Sequence, residues 1–406
     1  MCVSATQLPV VSTLNSSGRG ALTAAYFGSL VVLGLTIGSL GPTIPSLAEQ
    51  THVGLSAISY VFTFRSLGYV LGSIRGGKLF DQRAGNPVMA TMLVAMALMV
   101  ALVPLITELW LLLAVMLVLG AAEAVLDVGA NTLLLWVHGN RVGPFMNAMH
   151  TFFGVGALIA PIVVAQIARF NYPATHSYFV FALVLLPLAT FTFRLPSPVS
   201  LDTKQHEVPN GPTYRIVFLF ALFLFLYVGA EVGFAGWIFT YALESRLSEV
   251  TTAAYLTSLF WGSLTFGRML TIPVAARFTP HAILLSSLSG SLLSLMLMLL
   301  NPHSLGALLI GTIGLGFSMA PIFPSTLTLA GQQIKMTDRV TGWLILASSA
   351  GSMLIPFVIG QAFQSGRPGI LMVVITTMLL AALAVLGLMI GISRRVPRRR
   401  ADMLLL

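Results

Sequence analysis

The chain alternates between long apolar stretches and short polar ones, and each apolar stretch has the length that a membrane-spanning helix needs. At a rise of 1.5 Å per residue, about 20 residues cross roughly 30 Å of hydrocarbon. Twelve such stretches recur, at residues 21–47, 55–79, 87–106, 109–136, 144–169, 175–193, 215–243, 251–276, 281–300, 304–332, 339–363 and 368–392. The pattern predicts an all-α integral membrane protein with twelve transmembrane helices.

The longest interval between apolar stretches divides the chain near its middle. Residues 195–214 are rich in Pro and polar side chains, which is typical of a flexible linker. We therefore expect a six-helix bundle on each side, over residues 21–194 and 215–392. Residues 1–20 then form a cytoplasmic tail at the N-terminus, and residues 393–406 form a basic cytoplasmic tail at the C-terminus.

An internal repeat relates the two halves at an offset of 195 residues. The matched positions are Gly34 and Gly229, Gly38 and Gly233, Gly41 and Gly236, Gly156 and Gly351, Pro161 and Pro356, and Gln166 and Gln361. The repeat predicts two copies of one six-helix unit in the same orientation, related by a pseudo-two-fold axis. Glycines at four-residue spacing also let helices approach closely. We therefore expect these glycines to lie at close contacts between helices that move against each other.

Composition and charge agree with a membrane protein and indicate its orientation. The chain is 57% hydrophobic and 8% charged, with a mean hydropathy of +0.93, so one water-soluble core could not bury its apolar surface. With a cytoplasmic N-terminus, only Arg169, Arg246 and Arg367 of the Lys and Arg residues lie outside the cell. This asymmetry predicts a multi-pass cell-membrane protein with both termini cytoplasmic. Contact with anionic lipids then explains the net charge of +9, and we expect no nucleic-acid partner.

The N-terminal segment and the single cysteine exclude further classes. The first twenty residues are polar and Ser-rich, without the basic stretch and short apolar core of a cleavable signal peptide, so we expect the first helix to act as an uncleaved signal. Cys2 is the only cysteine, which rules out an intramolecular disulfide and argues against a Cys-based metal site. We expect no metal and no cofactor.

Five ionisable residues fall within the predicted spans. They are Arg65, Glu123, Asp127, Glu231 and Arg268, accompanied by the polar side chains of Asn131 and His150. A charge at mid-bilayer costs at least about 2.5 kcal/mol unless it faces a partner or water. These side chains should therefore face the interior of the protein.

Three of these polar residues lie on one face of the fourth predicted helix, because Glu123, Asp127 and Asn131 are spaced four apart. Two carboxylates one turn apart discourage each other's ionisation, as suits a group that takes up and releases a proton. The stripe therefore predicts a transport pathway, with Asp127 and Glu123 as ion-coupling residues. A structural ion pair with Arg65 is the alternative.

Glu231 is the in-span charge that the repeat does not explain. Its counterpart at the offset of 195 is Thr36, so the glycine frame is shared and the carboxylate is not. We interpret Glu231 as a substrate-binding or ion-coupling residue, with a buried pair to a cation such as Arg65 as the alternative. Arg268 is interpreted as a structural or gating cation, and His150 as a packing residue or a proton relay.

The segment "GGKLFDQRAG" between the second and third predicted helices resembles the signature loop of the major facilitator superfamily. Gly77, Asp81 and Arg83 fit that signature, whereas Gly85 comes one residue late. The resemblance extends over essentially the whole chain through the twelve spans and the repeat. It implies that Asp81 and Arg83 act as gating residues in a conformational latch.

Three longer stretches are similar to one group within that superfamily. Residues 126–161, 227–242 and 254–270 resemble the sodium-dependent glucose transporter 1 group, which neighbours the fucose:proton symporters. In the fucose symporters the carboxylate of the fourth helix belongs to the coupling and sugar-binding cavity. The resemblance implies that role for Asp127, with Asn131 as a sugar ligand.

These observations predict a secondary transporter that moves a small polar solute, most simply a monosaccharide, with a proton or a sodium ion. Carboxylates and amides bind sugar hydroxyls, and aromatic rings cover the apolar face of the sugar. The predicted substrate-binding residues are Asp127, Asn131, Tyr227, Glu231, Trp237, Tyr241 and Trp261. For the aromatic residues, packing is the alternative.

Two other functions stay open at this point. A drug or metabolite efflux antiporter of the same fold usually carries Gly-Pro and Gly-Gly pairs in its fifth helix, and "GVGALIAP" at residues 154–161 lacks them. A non-transporting membrane sensor would more easily lose the buried carboxylates. We see no nucleotide-binding loop and no constellation of nucleophile and base, so we expect neither an ATP-driven pump nor an enzyme. We expect a monomer in contact with membrane lipids.

Overall fold

The chain folds almost entirely into α-helices in the computed structural model. The structure describes residues 16–199, 214–334, 336 and 338–395, and within these ranges we find no β-strand. The helices are α1 (Ser16–Gln50), α2 (Leu55–Ile58), α3 (Tyr60–Gln82), α4 (Gly85–Leu102), α5 (Leu109–His138), α6 (Val142–Arg169), α7 (Ser177–Phe193), α8 (Tyr214–Glu244), α9 (Val250–Ala275), α10 (Pro280–Leu300), α11 (Leu305–Met319), α12 (Ile322–Gln333), α13 (Asp338–Phe363) and α14 (Ile370–Arg395).

Each predicted transmembrane stretch coincides with a helix, and the second and tenth stretches are divided. The second stretch is interrupted at Ser59, between α2 and α3. The tenth is interrupted between α11 and α12, where Pro321 has no N–H to donate to the preceding turn. Ten helical segments of the described chain, with α11 and α12 joined, are long and apolar enough to cross a membrane. By position α3 and α9 are the remaining spans, and they carry Arg65 and Arg268.

The helices extend into the predicted tails and linker: α8 begins at Tyr214, the last residue of the predicted linker, and α14 ends at Arg395, inside the predicted C-terminal tail. The first helix, α1, begins at Ser16, inside the interval predicted as the N-terminal tail. Residues 200–213 of the predicted linker and residues 396–406 of the predicted basic tail lie outside the described residues. The outer helix surfaces are apolar: Leu183, for example, is 71% exposed. Such exposed apolar surface suits contact with lipid, and the chain is a multi-pass membrane protein.

The sequence repeat is a repeat of helix packing. A Cβ atom placed on Gly156 of α6 would overlap the carbonyl oxygen of Val31 in α1. In the second half, a Cβ atom on Gly351 of α13 would overlap the carbonyl oxygen of Phe225 in α8. Only glycine permits such close backbone contact. The prediction of two related six-helix bundles is confirmed.

A second pair of seams repeats as well, and our sequence comparison missed it. In the first half, α3 approaches α5 so closely that a Cβ atom on Gly72 would overlap the carbonyl oxygen of Ala121. In the second half, a Cβ atom on Gly267 of α9 would lie 2.9 Å from the carbonyl oxygen of Phe317 in α11. Gly72 and Gly267 are again 195 residues apart, which is the signal that could have revealed this seam.

The two bundles meet at one end of the molecule and separate toward the other. We call the end where α7 ends and α8 begins the linker end, and the opposite end the far end. Within the described residues, the hydrogen bonds between the halves all lie on the far-end side and join Gln361 to Ser56 and Ser59, Gln166 to Tyr255, and Ser66 to Ser352. On the linker-end side the described residues form no ion pair between the halves, and His150 of α6, which interacts with Asp127 and with Arg268 of the other half, is exposed. The space between the bundles is therefore open at the linker end.

Candidate functional site

The first cluster of buried charge joins α3 to α5. The guanidinium of Arg65 donates two hydrogen bonds to the Glu123 carboxylate, at 2.9 Å and 2.5 Å. Thr36 of α1 donates a third, at 2.8 Å. Both charged side chains are buried, so the pair is compensated within the protein. This geometry is that of the structural ion pair that the sequence left as the alternative for Glu123.

Asp127 lies one helical turn from this pair, toward the linker end. Its carboxylate accepts a hydrogen bond from the hydroxyl of Tyr69 at 2.5 Å and another from the amide of Asn131 at 3.0 Å. The side chain is half-buried. Of the three carboxylates in the middle of the described spans, Asp127 alone has no Lys, Arg or His nitrogen within 4 Å.

The pairing of α3 with α5 has a simple register. Arg65 and Glu123 are 58 residues apart, and so are Tyr69 and Asp127. Both helices run from the far end to the linker end, so successive turns of one meet successive turns of the other. Sequence reasoning did not identify Tyr69, although its four-residue spacing from Arg65 matches the spacing of the two carboxylates.

The second half contains its own ion pair, between Glu231 of α8 and Arg268 of α9. One guanidinium nitrogen lies 3.4 Å from one carboxylate oxygen; Glu231 is buried, and the Arg268 side chain is partly buried. Glu231 is therefore the partner of a cation, as the alternative held, but that cation is Arg268 and not Arg65, because α3 packs against α5 and places Arg65 on Glu123. Tyr227, one turn before Glu231, interacts electrostatically with it and donates a hydrogen bond to the carbonyl of Met319 at the break between α11 and α12.

His150 of α6 lies between the two halves of the site. Its side chain is exposed to the space between the bundles. It interacts electrostatically with Asp127 of its own half and with Arg268 of the other half. One turn farther along α6, Gly154 contacts Thr265 of α9 and the seam closes. The carboxylate of the first half and the ion pair of the second half therefore face one shared cavity.

The predicted aromatic ligands lie on the far-end side of this cavity and pack within the protein. Trp237 is fully buried, donates a hydrogen bond from its indole nitrogen to the carbonyl of Pro356 at 2.8 Å, and stacks on Phe363 with ring centroids 5.0 Å apart. Trp261 and Tyr241 are also buried. In this conformation the three rings form part of the closed far end.

The predicted latch residues Asp81 and Arg83 lie at the linker end, where α3 ends. Both side chains are exposed. Arg83 follows the last turn of α3 in extended backbone geometry and closes that turn through its backbone N–H. This location is at the open end of the cavity, where a latch between the halves would have to form.

The chain is similar to named proteins over most of its length. The chain is 32% identical over 376 residues to sodium-dependent glucose transporter 1A of Mus musculus, which covers 83% of this chain and 87% of the mouse protein. It is 29% identical over 403 residues to sodium-dependent glucose transporter 1 of Homo sapiens, which covers 89% of this chain and 76% of the human protein.

A solved structure with a similar fold and a match to a family model agree with the similarity to these relatives. A crystal structure of a mutant of the nucleoside transporter NupG superposes with a TM-score of 0.76 and covers 92% of this chain and 99% of that chain. At 15% identity this likeness concerns the fold alone. The family model of the Major Facilitator Superfamily matches residues 26–356. The chain therefore belongs to the major facilitator superfamily.

Proposed function

We propose that the chain is a secondary transporter that moves a monosaccharide together with a proton or a sodium ion by alternating access. The observation that carries this proposal is the carboxylate of Asp127, which faces the open cavity without a cationic partner. A cation entering the cavity meets a negative charge that the protein has left uncompensated. Asp127 is accordingly the coupling residue.

The charge balance of the cavity supports this assignment. Arg65 compensates Glu123, and Arg268 compensates Glu231, so Asp127 supplies the remaining formal charge. An anionic substrate would meet repulsion there, whereas a neutral sugar with a coupling cation would not. Asn131 supplies an amide group and Tyr69 a hydroxyl group, and both groups bind sugar hydroxyls.

The names of the relatives support a sugar as the substrate, since the mouse and human proteins are called sodium-dependent glucose transporters. The distribution of Lys and Arg supports a cytoplasmic linker end in a cell membrane. With that orientation, the cavity of the described conformation opens to the cytoplasm. Asp81 and Arg83 would then hold the two bundles together when the linker end closes.

Uptake of radiolabelled monosaccharides into proteoliposomes, with a proton or a sodium gradient imposed separately, tests the proposal. We expect concentrative uptake under one of the two gradients. Asp127→Asn should abolish gradient-driven accumulation and retain exchange of sugar across the membrane, because the amide keeps the size of the side chain but cannot bind a cation in the same way. Glu108→Gln is the matched control, because it removes an exposed carboxylate at the start of the same helix.

Three results would contradict the proposal. Movement of a lipophilic or cationic compound, with no sugar transported under either gradient, would identify an efflux antiporter instead. Full gradient-driven accumulation by Asp127→Asn would remove this residue from coupling. Absence of transport for every compound would support the non-transporting sensor.

A further inference from the structure

The two buried ion pairs differ in how completely their hydrogen-bonding groups are used. The Arg65–Glu123 pair has two bonds and a third from Thr36, and the Glu123 side chain is 1% exposed. The Arg268–Glu231 pair has one contact of 3.4 Å, with side-chain exposures of 25% and 10%. The Glu123 carboxylate therefore accepts three hydrogen bonds, whereas the Glu231 carboxylate accepts one long contact from Arg268 and has acceptor positions to spare.

The unused groups of the second pair are accessible. A guanidinium carries five N–H donors, and an ionised carboxylate has about four acceptor positions. Apart from the contact with Glu231, Arg268 interacts electrostatically with Tyr227 of α8 and with His150 across the cavity, which leaves most of its N–H donors without a partner in the described residues. Neither Glu231 nor Arg268 has a fully buried polar atom without a hydrogen-bond partner. The spare donors and acceptors are therefore open to a ligand in the cavity.

The position of the pair argues against a gating role for Arg268. A gate joins the two halves and breaks when they move apart. Glu231 and Arg268 belong to adjacent helices of one half and are 37 residues apart, so rocking of the halves leaves their contact intact. A ligand between the halves, in contrast, can reach both groups while Asp127 and Asn131 reach it from the other side.

We propose that Glu231 and Arg268 together bind two adjacent hydroxyl groups of the transported sugar, which opens their weak ion pair. The carboxylate accepts a hydrogen bond from one hydroxyl, and the guanidinium donates one to the oxygen of its neighbour. The carboxylate and guanidinium sum to zero charge, so the ligand is a neutral vicinal diol. This inference rests on the proposed function and assigns the part of the site that selects the sugar.

Counterflow with a panel of monodeoxy sugars, each lacking one hydroxyl, tests this assignment. Hydrogen bonds to charged groups contribute strongly to binding, so loss of either hydroxyl of the diol should raise the half-saturation concentration of the wild type at least tenfold. In Glu231→Gln and in Arg268→Lys, loss of the hydroxyl that the changed residue binds should raise the half-saturation concentration by no more than about twofold. Loss of any other hydroxyl should raise it as much as in the wild type. The matched controls Glu244→Gln and Arg277→Lys, both exposed near the ends of α8 and α9, should behave as the wild type.

A charge swap separates binding from a structural role. The double variant Glu231→Arg with Arg268→Glu keeps an ion pair between α8 and α9, so a purely structural pair predicts normal sugar counterflow. We expect a folded protein, by thermal unfolding in detergent, with sugar affinity reduced at least tenfold. Normal counterflow by the swapped variant, or unchanged penalties in the single variants, would overturn this inference alone. Absence of sugar counterflow by the wild type would overturn it together with the proposed function.

Discussion

Gln361 of α13 is the side chain with the most hydrogen bonds across the closed far end, and Gln361→Leu should shift the protein toward opening that end. Its amide nitrogen donates to the carbonyl of Ser56 at 2.9 Å and to the hydroxyl of Ser59 at 3.2 Å. Its amide oxygen accepts from the hydroxyl of Ser56 at 2.6 Å. Leucine has a similar volume and makes none of these bonds.

The size of the shift follows from the number of bonds lost. Each neutral hydrogen bond contributes about 0.5–1.5 kcal/mol net, and these contacts are partly buried, so their loss amounts to roughly 1.5–3 kcal/mol. A difference of 1.4 kcal/mol is about tenfold in an equilibrium constant. The far end should therefore open roughly 10- to 150-fold more often. Gln166, the counterpart of Gln361 in the repeat, donates a single hydrogen bond to Tyr255. Gln166→Leu should therefore raise the population open at the far end by only about fivefold.

Thiol labelling from the far-end side measures this opening directly. Because Cys2 is the only cysteine, Cys2→Ser with Ser352→Cys leaves one reactive thiol in the seam, opposite Ser66. The labelling rate by a membrane-impermeant reagent is then proportional to the population open at the far end. Gln50→Leu is the matched control, since Gln50 donates to two carbonyls within its own half. A labelling rate for Gln361→Leu within twofold of that control would refute the reasoning.

The remaining predictions concern stability. Glu123→Gln should lower the stability of the protein by roughly 3–5 kcal/mol because it leaves Arg65 buried without a counter-charge, whereas replacing both residues by leucine should restore most of that loss. Thermal unfolding in detergent measures this, and a double variant as unstable as the single one would contradict it. Gly156→Leu should prevent normal folding because its side chain overlaps the carbonyl of Val31, whereas Gly387→Leu meets no neighbour and should change stability by at most about 0.5 kcal/mol. Yields of monodisperse protein in size-exclusion chromatography compare the two, and equal yields would contradict the packing argument.

The sequence was sufficient for the spans, the repeat and the identity of the charged residues, because these depend on hydropathy, spacing and the cost of burying charge. It was insufficient for the pairing of those charges. Whether Arg65 meets Glu123 or Glu231 depends on which helices touch and in which register. That register is set by close backbone contacts such as Gly72 against Ala121, which spacing alone does not reveal.

The conformational state was also beyond the sequence, for a different reason. A transporter of this kind alternates between states that share one sequence, so no residue pattern can specify which end is closed. The structure resolves this for one state, in which Gln361 and Gln166 hold the far end together. The burial of Trp237 follows from the same closure, and its contact with a substrate stays a prediction for the alternate state.

The repeat also explains why the two ion pairs could take different roles. Thr36 and Glu231 occupy equivalent positions, and so do Glu123 and Ser318. In the first half the carboxylate comes from α5 and accepts hydrogen bonds from Arg65 and Thr36 in a buried cluster. In the second half the carboxylate comes from α8 and meets Tyr227 and a guanidinium at 3.4 Å, and the equivalent position on α11, Ser318, carries no charge. The repeated helix framework therefore holds a buried pair in the first half and a more exposed pair in the second half. The second pair faces the cavity, where a ligand can bind to it.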